Sequence, residues 1–209
     1  MGTPFPALRH GLVAILRGLK PDEALAIGKA IFDAGIEAIE VPLNSPEPFR
    51  SIETLAKALP DALVGAGTVL TPQDVDRLAG AGGRLLVSPN VEPAVLDRAN
   101  HHGMVTMPGV FTPTEAFLAL RHGASALKFF PASVLGPGGI AAVKAVLPKD
   151  AEVAVVGGVS EADFEAFAKV GVRTFGLGSS LFKPGMTVDQ VRARAIAAVT
   201  AWRVVFGEG

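Results

Sequence analysis

Eight short apolar runs alternate with eight longer amphipathic stretches along this chain, and no other feature limits its fold so sharply. The runs are Leu12–Leu16, Ala38–Pro42, Ala62–Ala66, Leu85–Pro89, Met104–Pro108, Ala126–Phe130, Glu152–Val156 and Arg173–Leu177. Most are rich in Val, Ile, Leu and Phe, as short strands buried on both faces are. The stretches between them carry helix signals. Thr71-Pro72-Gln73-Asp74 places a capping hydroxyl before a helix-starting proline, Thr112-Pro113-Thr114-Glu115 is a fuller capping box, and Ser160-Glu161-Ala162-Asp163 is a similar one. Gly35, Gly103, Gly123 and Gly171 close helical stretches just before the next strand. The last helix is expected over roughly Val188–Phe206. Strict alternation implies a parallel sheet with right-handed crossovers. Eight units in 209 residues, about 26 each, predict a compact (β/α)8 barrel in a single domain spanning 1–209. The rival doubly wound sheet would carry Gly-x-Gly-x-x-Gly after its first strand. Here that strand leads into Leu16-Arg17-Gly18-Leu19-Lys20.

Composition narrows the function classes. Charged residues are 19 % against a usual ~25 %, so the chain hides surface, either in strands buried on both faces or in an oligomer. A net charge of −1 offers no basic excess for a nucleic acid and no polybasic tail for a membrane. Cysteine is absent, which removes disulfides, Cys-ligated zinc, iron–sulfur clusters and thiol nucleophiles. The start, Met1-Gly2-Thr3-Pro4-Phe5-Pro6, reads as neither a secretory signal nor a myristoylation site. No apolar run approaches the ~18 residues of a membrane span, so the expected location is the cytoplasm.

Barrel chemistry gathers at the C-terminal ends of the strands, and side chains alternate inward and outward along each one. By that parity Arg17 falls in phase with Val13 and Ile15, Glu40 with Ala38, Thr68 with Val64 and Ala66, and Lys128 with Ala126 and Phe130. Gly157-Gly158 and Gly178-Ser179-Ser180 follow the seventh and eighth runs.

Lys128 is the most informative of these residues. An ammonium in an apolar strand is costly, and burial favours the free amine. At an ordinary pKa only about 0.04 % of a lysine is free amine at pH 7, so desolvation is the usual way to make a Schiff-base nucleophile. Glu40, set among apolar neighbours, suits a general acid and base. The alternative for both is a purely structural ion pair. The two glycine-rich turns suit a phosphate held by backbone N–H groups, or else are tight turns without a ligand. Arg17 suits a carboxylate, or is a solvated loop arginine. Among the four histidines, His101, His102 and His122 sit at helix C-termini, far from that mouth, and His10 precedes the first run. Only Glu40 is a candidate metal ligand at the mouth, so no metal is expected.

These residues resemble a known family. Ala14-Ile15-Leu16-Arg17-Gly18, Ile39-Glu40-Val41-Pro42-Leu43-Asn44-Ser45-Pro46, Gly65-Ala66-Gly67-Thr68-Val69-Leu70 and Ser88-Pro89-Asn90 match in order. Pro108-Gly109, Leu127-Lys128-Phe129-Phe130-Pro131, Val156-Gly157-Gly158-Val159 and Gly176-Leu177-Gly178-Ser179 follow. Together they are similar to the pyruvate-forming class I aldolases that cleave 2-dehydro-3-deoxy-6-phospho sugar acids. The resemblance implies that Lys128 forms the Schiff base and that Glu40 moves the protons. It implies that Arg17 and Thr68 hold the substrate carboxylate, while Gly157, Gly158, Gly178 and Ser179 hold the phosphate. Pyruvate and glyceraldehyde 3-phosphate are the implied products, no cofactor is implied, and the implied assembly is a homotrimer. Gluconate-type members carry Thr before the double glycine and Thr-Leu-Arg after the second strand. Here Val156 and Val41-Pro42-Leu43-Asn44 stand in those places, and Ile15-Leu16-Arg17-Gly18 resembles the galactonate type. Val156 is thereby the candidate for epimer selectivity. Further alternatives are a phosphate-binding barrel isomerase or epimerase without a Schiff base, and a non-catalytic phosphosugar sensor.

Overall fold

Each apolar run becomes a strand in the computed structural model, which describes residues 2–207. Met1, Glu208 and Gly209, which the expected 1–209 domain includes, lie outside the described residues. In chain order the first half comprises β1 (Leu12–Ile15), α1 (Pro21–Asp33), β2 (Ala38–Pro42), α2 (Pro48–Ala58), β3 (Leu63–Gly67), α3 (Pro72–Gly80), β4 (Leu85–Val87) and α4 (Pro93–His101). Then come β5 (Val105–Met107), β6 (Gly109–Val110), α5 (Pro113–Arg121), β7 (Leu127–Phe129), α6 (Ala132–Lys144), β8 (Val153–Val156), α7 (Phe164–Ala168), β9 (Thr174–Leu177) and α8 (Val188–Phe206).

All strand pairs are parallel, and the order is β5-β4-β3-β2-β1-β9-β8-β7-β6. The nine segments are eight strands of a barrel. Pro108 splits the fifth, because proline has no N–H to donate to a ladder. β5 pairs with β4, β6 pairs with β7, and Lys128 N–H donates to the Pro108 carbonyl at 3.0 Å, so the ring closes through this broken strand. Every neighbour is sequential except β1 and β9, the first and last strands, whose parallel pairing joins the two ends of the sheet as a doubly wound sheet would not.

Helix boundaries follow local chemistry. Five of the eight helices described, α1 to α5, begin at a proline, whose missing N–H costs nothing in a first turn. Thr71 and Thr112 cap α3 and α5 as expected, with Glu115 completing the box. Gly35, Gly103, Gly123 and Gly171 all adopt positive φ. The Ser160 box differs: it opens a 3-10 turn, Glu161–Asp163, ahead of the five-residue α7. α6 is kinked at Gly136 and Pro137.

Alternation along the strands sorts the apolar side chains into two layers. Val13, Ala38, Val87, Met107, Ala126 and Ala154 fill the barrel, with Phe5 and Leu8 of the N-terminal segment packed against them. Leu12, Ala14, Ile39, Val41, Leu127 and Phe129 pack outward against the helices. The parity expected for β1, β2 and β7 therefore holds. For β3 it is corrected: Val64 and Ala66 belong to the outer layer, whereas Leu63 packs inward. Thr68 leaves the strand pattern altogether, with φ at +57°.

Candidate active site

Glu40 and Lys128 are the only buried carboxylate and ammonium among the described residues, at 3 % and 6 % exposure. Both sit on strands whose other faces are sealed by helices, so both point into the barrel near its C-terminal mouth. Glu40 lies in register with Ile15 of β1, and Lys128 with Ala154 of β8. No ion-pair contact joins them, and Glu40 Oε2 is buried without a hydrogen-bond partner. The structural ion pair considered from sequence is thus not formed. What remains is an amine and a carboxylate within electrostatic reach, with a free acceptor between the strands.

Burial dominates both titrations. It raises the Glu40 carboxyl to about 7, against the opposing pull of Lys128, Arg17 and the Gly67 backbone N–H. It lowers the Lys128 amine to about 8, with the Glu40 charge resisting and the Arg17 charge assisting. Lys128 Nζ also stands 4.9 Å from the centre of the Phe130 ring, an apolar wall with a weak affinity for the cation. Gly67 is needed where it stands: a Cβ there would lie 2.2 Å from a Glu40 carboxylate oxygen.

A cavity of about 320 Å³, within the range of small-ligand sites, opens at the same mouth; Phe130, the ring against Lys128 Nζ, lines it, while Glu40 and Lys128 themselves do not. Arg17, Val156, Gly157, Gly158, Gly178 and Ser179 line it, together with Ile15, Phe130 and Lys183. Gly157 and Gly158 have φ of +93° and +73°, conformations that L side chains rarely adopt, so the turn exposes its backbone to the cavity. From behind, Arg194 of α8 donates to the carbonyls of Ser179 and Ser180, both at 3.2 Å, and steadies the second turn. Val156 turns its methyls inward over Gly176, next to Ile15.

The sequence-expected residues do not all fall together. Of the expected carboxylate clamp, Arg17 lines the cavity of the glycine turns, whereas Thr68, like Glu40 and Lys128, does not. Thr68 follows β3, half-buried, and its left-handed backbone is an outlier for a β-branched residue. Sequence reasoning also missed Phe130 as a neighbour of the amine, although its parity with Lys128 announced it. It missed Asn44, whose Oδ1 accepts from Arg17 Nη1 at 2.6 Å, and Ser45, whose Oγ accepts from Gly18 N–H at 2.9 Å. Nothing local in the sequence signalled Lys183. The histidines lie elsewhere: His102 and His122 pair with Asp76 and Asp97, and His10 is buried, donating from Nδ1 to the Gly35 carbonyl while Nε2 accepts from Arg203. Among the described residues no three His, Asp or Glu side chains gather as a metal site requires.

A closed parallel barrel with a desolvated lysine, a desolvated glutamate and a glycine-lined cavity at one mouth defines a class of protein: a barrel enzyme with its chemistry at the C-terminal ends of the strands. The family model described as KDPG and KHG aldolase matches residues 7–202, and the chain belongs to that family. A Rhizobium meliloti (strain 1021) protein named as a probable 2-dehydro-3-deoxy-6-phosphogalactonate aldolase is 62 % identical over 205 residues, covering 98 % of this chain and 97 % of the relative. The Escherichia coli (strain K12) 2-dehydro-3-deoxy-6-phosphogalactonate aldolase is 49 % identical, over 92 % and 94 % of the two chains. A solved structure described as native KDPGal superposes with a TM-score of 0.94 at 46 % identity, over 97 % of this chain and 98 % of that one.

Proposed function

We propose that this chain cleaves 2-dehydro-3-deoxy-6-phosphogalactonate to pyruvate and D-glyceraldehyde 3-phosphate through a Schiff base on Lys128. The observation that carries the reading is the pair of buried, unbridged groups at one mouth, an amine lowered to about 8 and a carboxyl raised to about 7. The free amine of Lys128 adds to the C2 ketone, and loss of water leaves an iminium. Glu40 accepts the C4 hydroxyl proton, directly or through a water at its unpartnered Oε2. The C3–C4 electron pair moves to the iminium, forming the pyruvate enamine and freeing the aldehyde. Glu40 returns a proton to C3, and water releases pyruvate from Lys128.

The phosphate takes the cavity, where the backbones of Gly157, Gly158, Gly178 and Ser179 meet the Arg17 guanidinium. In this reading Arg17, whose charge also reaches Glu40 and Lys128, serves the phosphate end, and Thr68 serves the carboxylate end. Val156, turned into the cavity where a threonine would offer a hydroxyl, removes a hydrogen-bond partner near the reacting carbons and favours the galactonate epimer. A homotrimer working in the cytoplasm suits the low charge content, the eight large hydrophobics exposed among the described residues, and the absence of any described helix long and apolar enough to cross a membrane.

The test is borohydride trapping. Incubation with pyruvate, reduction and peptide mass spectrometry are expected to place a stable adduct on Lys128, and assays of both epimers are expected to favour the galactonate. Folded protein without an adduct would remove the aldolase reading.

A further inference from the structure

Two cations, Arg17 and Lys183, line the cavity of the glycine turns, and no carboxylate does. Arg17 already spends one donor on Asn44. Lys183 has no salt-bridge partner among the described residues. Its hydrogen bonds run through its backbone: its N–H donates to Met186 Sδ at 3.3 Å and its carbonyl accepts from Met186 N–H at 3.2 Å.

The backbone around Lys183 is held firmly although its side chain is free. Phe182, immediately before it, is 3 % exposed and packs into the outer core. Pro184, immediately after it, lies so close to the Arg17 loop that a Cβ on Gly18 would meet Pro184 Cγ at 2.6 Å. Gly18 in turn donates its N–H to Ser45 Oγ. The loops bearing the two cations are therefore packed directly on each other, on the rim of one cavity. A long flexible ammonium on an anchored backbone, beside backbone N–H donors and without a counter-charge, is the arrangement that binds a phosphate as a point charge.

Resting on the phosphorylated-substrate reading above, we propose that Lys183 is a second phosphate-binding side chain, completing with Arg17 a two-cation match to the phosphate dianion. Its contribution is to substrate affinity and not to the carbon–carbon chemistry, which stays with Lys128 and Glu40.

The test combines steady-state cleavage with calorimetric titration of sn-glycerol 3-phosphate as a probe of the phosphate end alone. Lys183→Met is expected to raise KM for the phosphorylated acid about tenfold, equivalent to about 1.4 kcal/mol, with most of the loss in KM and little in kcat. The same variant is expected to weaken sn-glycerol 3-phosphate binding to a similar degree. Lys183→Arg is expected to restore both. Trapping of pyruvate on Lys128 reports that the variant is folded. A Lys183→Met protein that traps pyruvate yet keeps the wild-type KM and probe affinity overturns the proposal. Absence of probe binding by the wild-type protein overturns it as well, together with the phosphate assignment of the cavity, while the pyruvate adduct separately reports whether the aldolase reading stands.

Discussion

At Lys128 and Glu40 burial moves two titrations toward each other, and the direction of each follows from which form is charged. Water loss penalises the ammonium, so Lys128 falls to about 8; it penalises the carboxylate, so Glu40 rises to about 7. At pH 7 about a tenth of Lys128 is then free amine, against about 0.04 % for an ordinary lysine, while about half of Glu40 is ionised. Attack needs the free amine and C4 deprotonation needs the carboxylate, so kcat/KM for cleavage is expected to rise with pH, through Glu40 near 7 and Lys128 near 8. Glu40→Gln is expected to keep forming the pyruvate adduct but to lose about 10²–10⁴-fold in cleavage. Because the Glu40 charge holds the Lys128 value up, its removal should also shift the pH midpoint of adduct formation downward. A pH–rate profile and a trapping series check both statements, and near-normal turnover in this variant would take Glu40 out of the mechanism.

Among the elements, the contact between β2 and β3 does most to shape the site. Glu40 is in register with Gly65, so the end of β3 runs under its carboxylate and presents Gly67 there. Gly67→Ala puts a methyl where the carboxylate now lies, and the side chain must move, because the β3 backbone is locked between β2 and β4. A displacement of about 1 Å costs on the order of 10²-fold in rate, so cleavage is expected to fall by that much while Lys128 still traps pyruvate. Crowding of this kind is worth about 1–3 kcal/mol, which a thermal melt measures. A Gly67→Ala enzyme with wild-type cleavage would show that the strand contact does not position Glu40. The helices at the mouth act in a similar way. α8 reaches the second glycine turn through Arg194, so a helix at the outside of the barrel steadies a loop at its centre.

On the scale of the molecule, the fold separates stability from chemistry. The lower end is plugged by Phe5 and Leu8, with the two pairs His102–Asp76 and His122–Asp97 at helix ends, whereas the upper end carries the desolvated groups and the open turns. The outer surface still exposes Val134, Val146, Ile196 and Val204 at 50–82 %. With 19 % charged residues, such a surface fits a chain that associates with its own copies. Light scattering after gel filtration is expected to return three chain masses of 21.5 kDa, and one chain mass at micromolar concentration would dismiss the trimer.

Strand and helix identity, their order, the closure into a barrel and the burial of a charged group at Lys128 and at Glu40 were all legible in the sequence. The reason is that each rests on local rules: burial period, capping chemistry, and the cost of a charge in an apolar strand. The parity of β3 was misread because its inward positions after Leu63 are Gly65 and Gly67, which carry no side chain to mark that face, and Thr68 lies beyond the strand in a left-handed conformation that alternation does not describe. The Pro108 break and the 3-10 turn after Ser160 were likewise hidden, since both depend on which neighbours supply hydrogen bonds. Only the tertiary structure decided that Glu40 and Lys128 stand apart instead of bridging, that Arg17 faces the glycine turns, and that Lys183 joins it. Those are matters of distance between residues far apart in the chain, and a distance of that kind is set when the barrel closes.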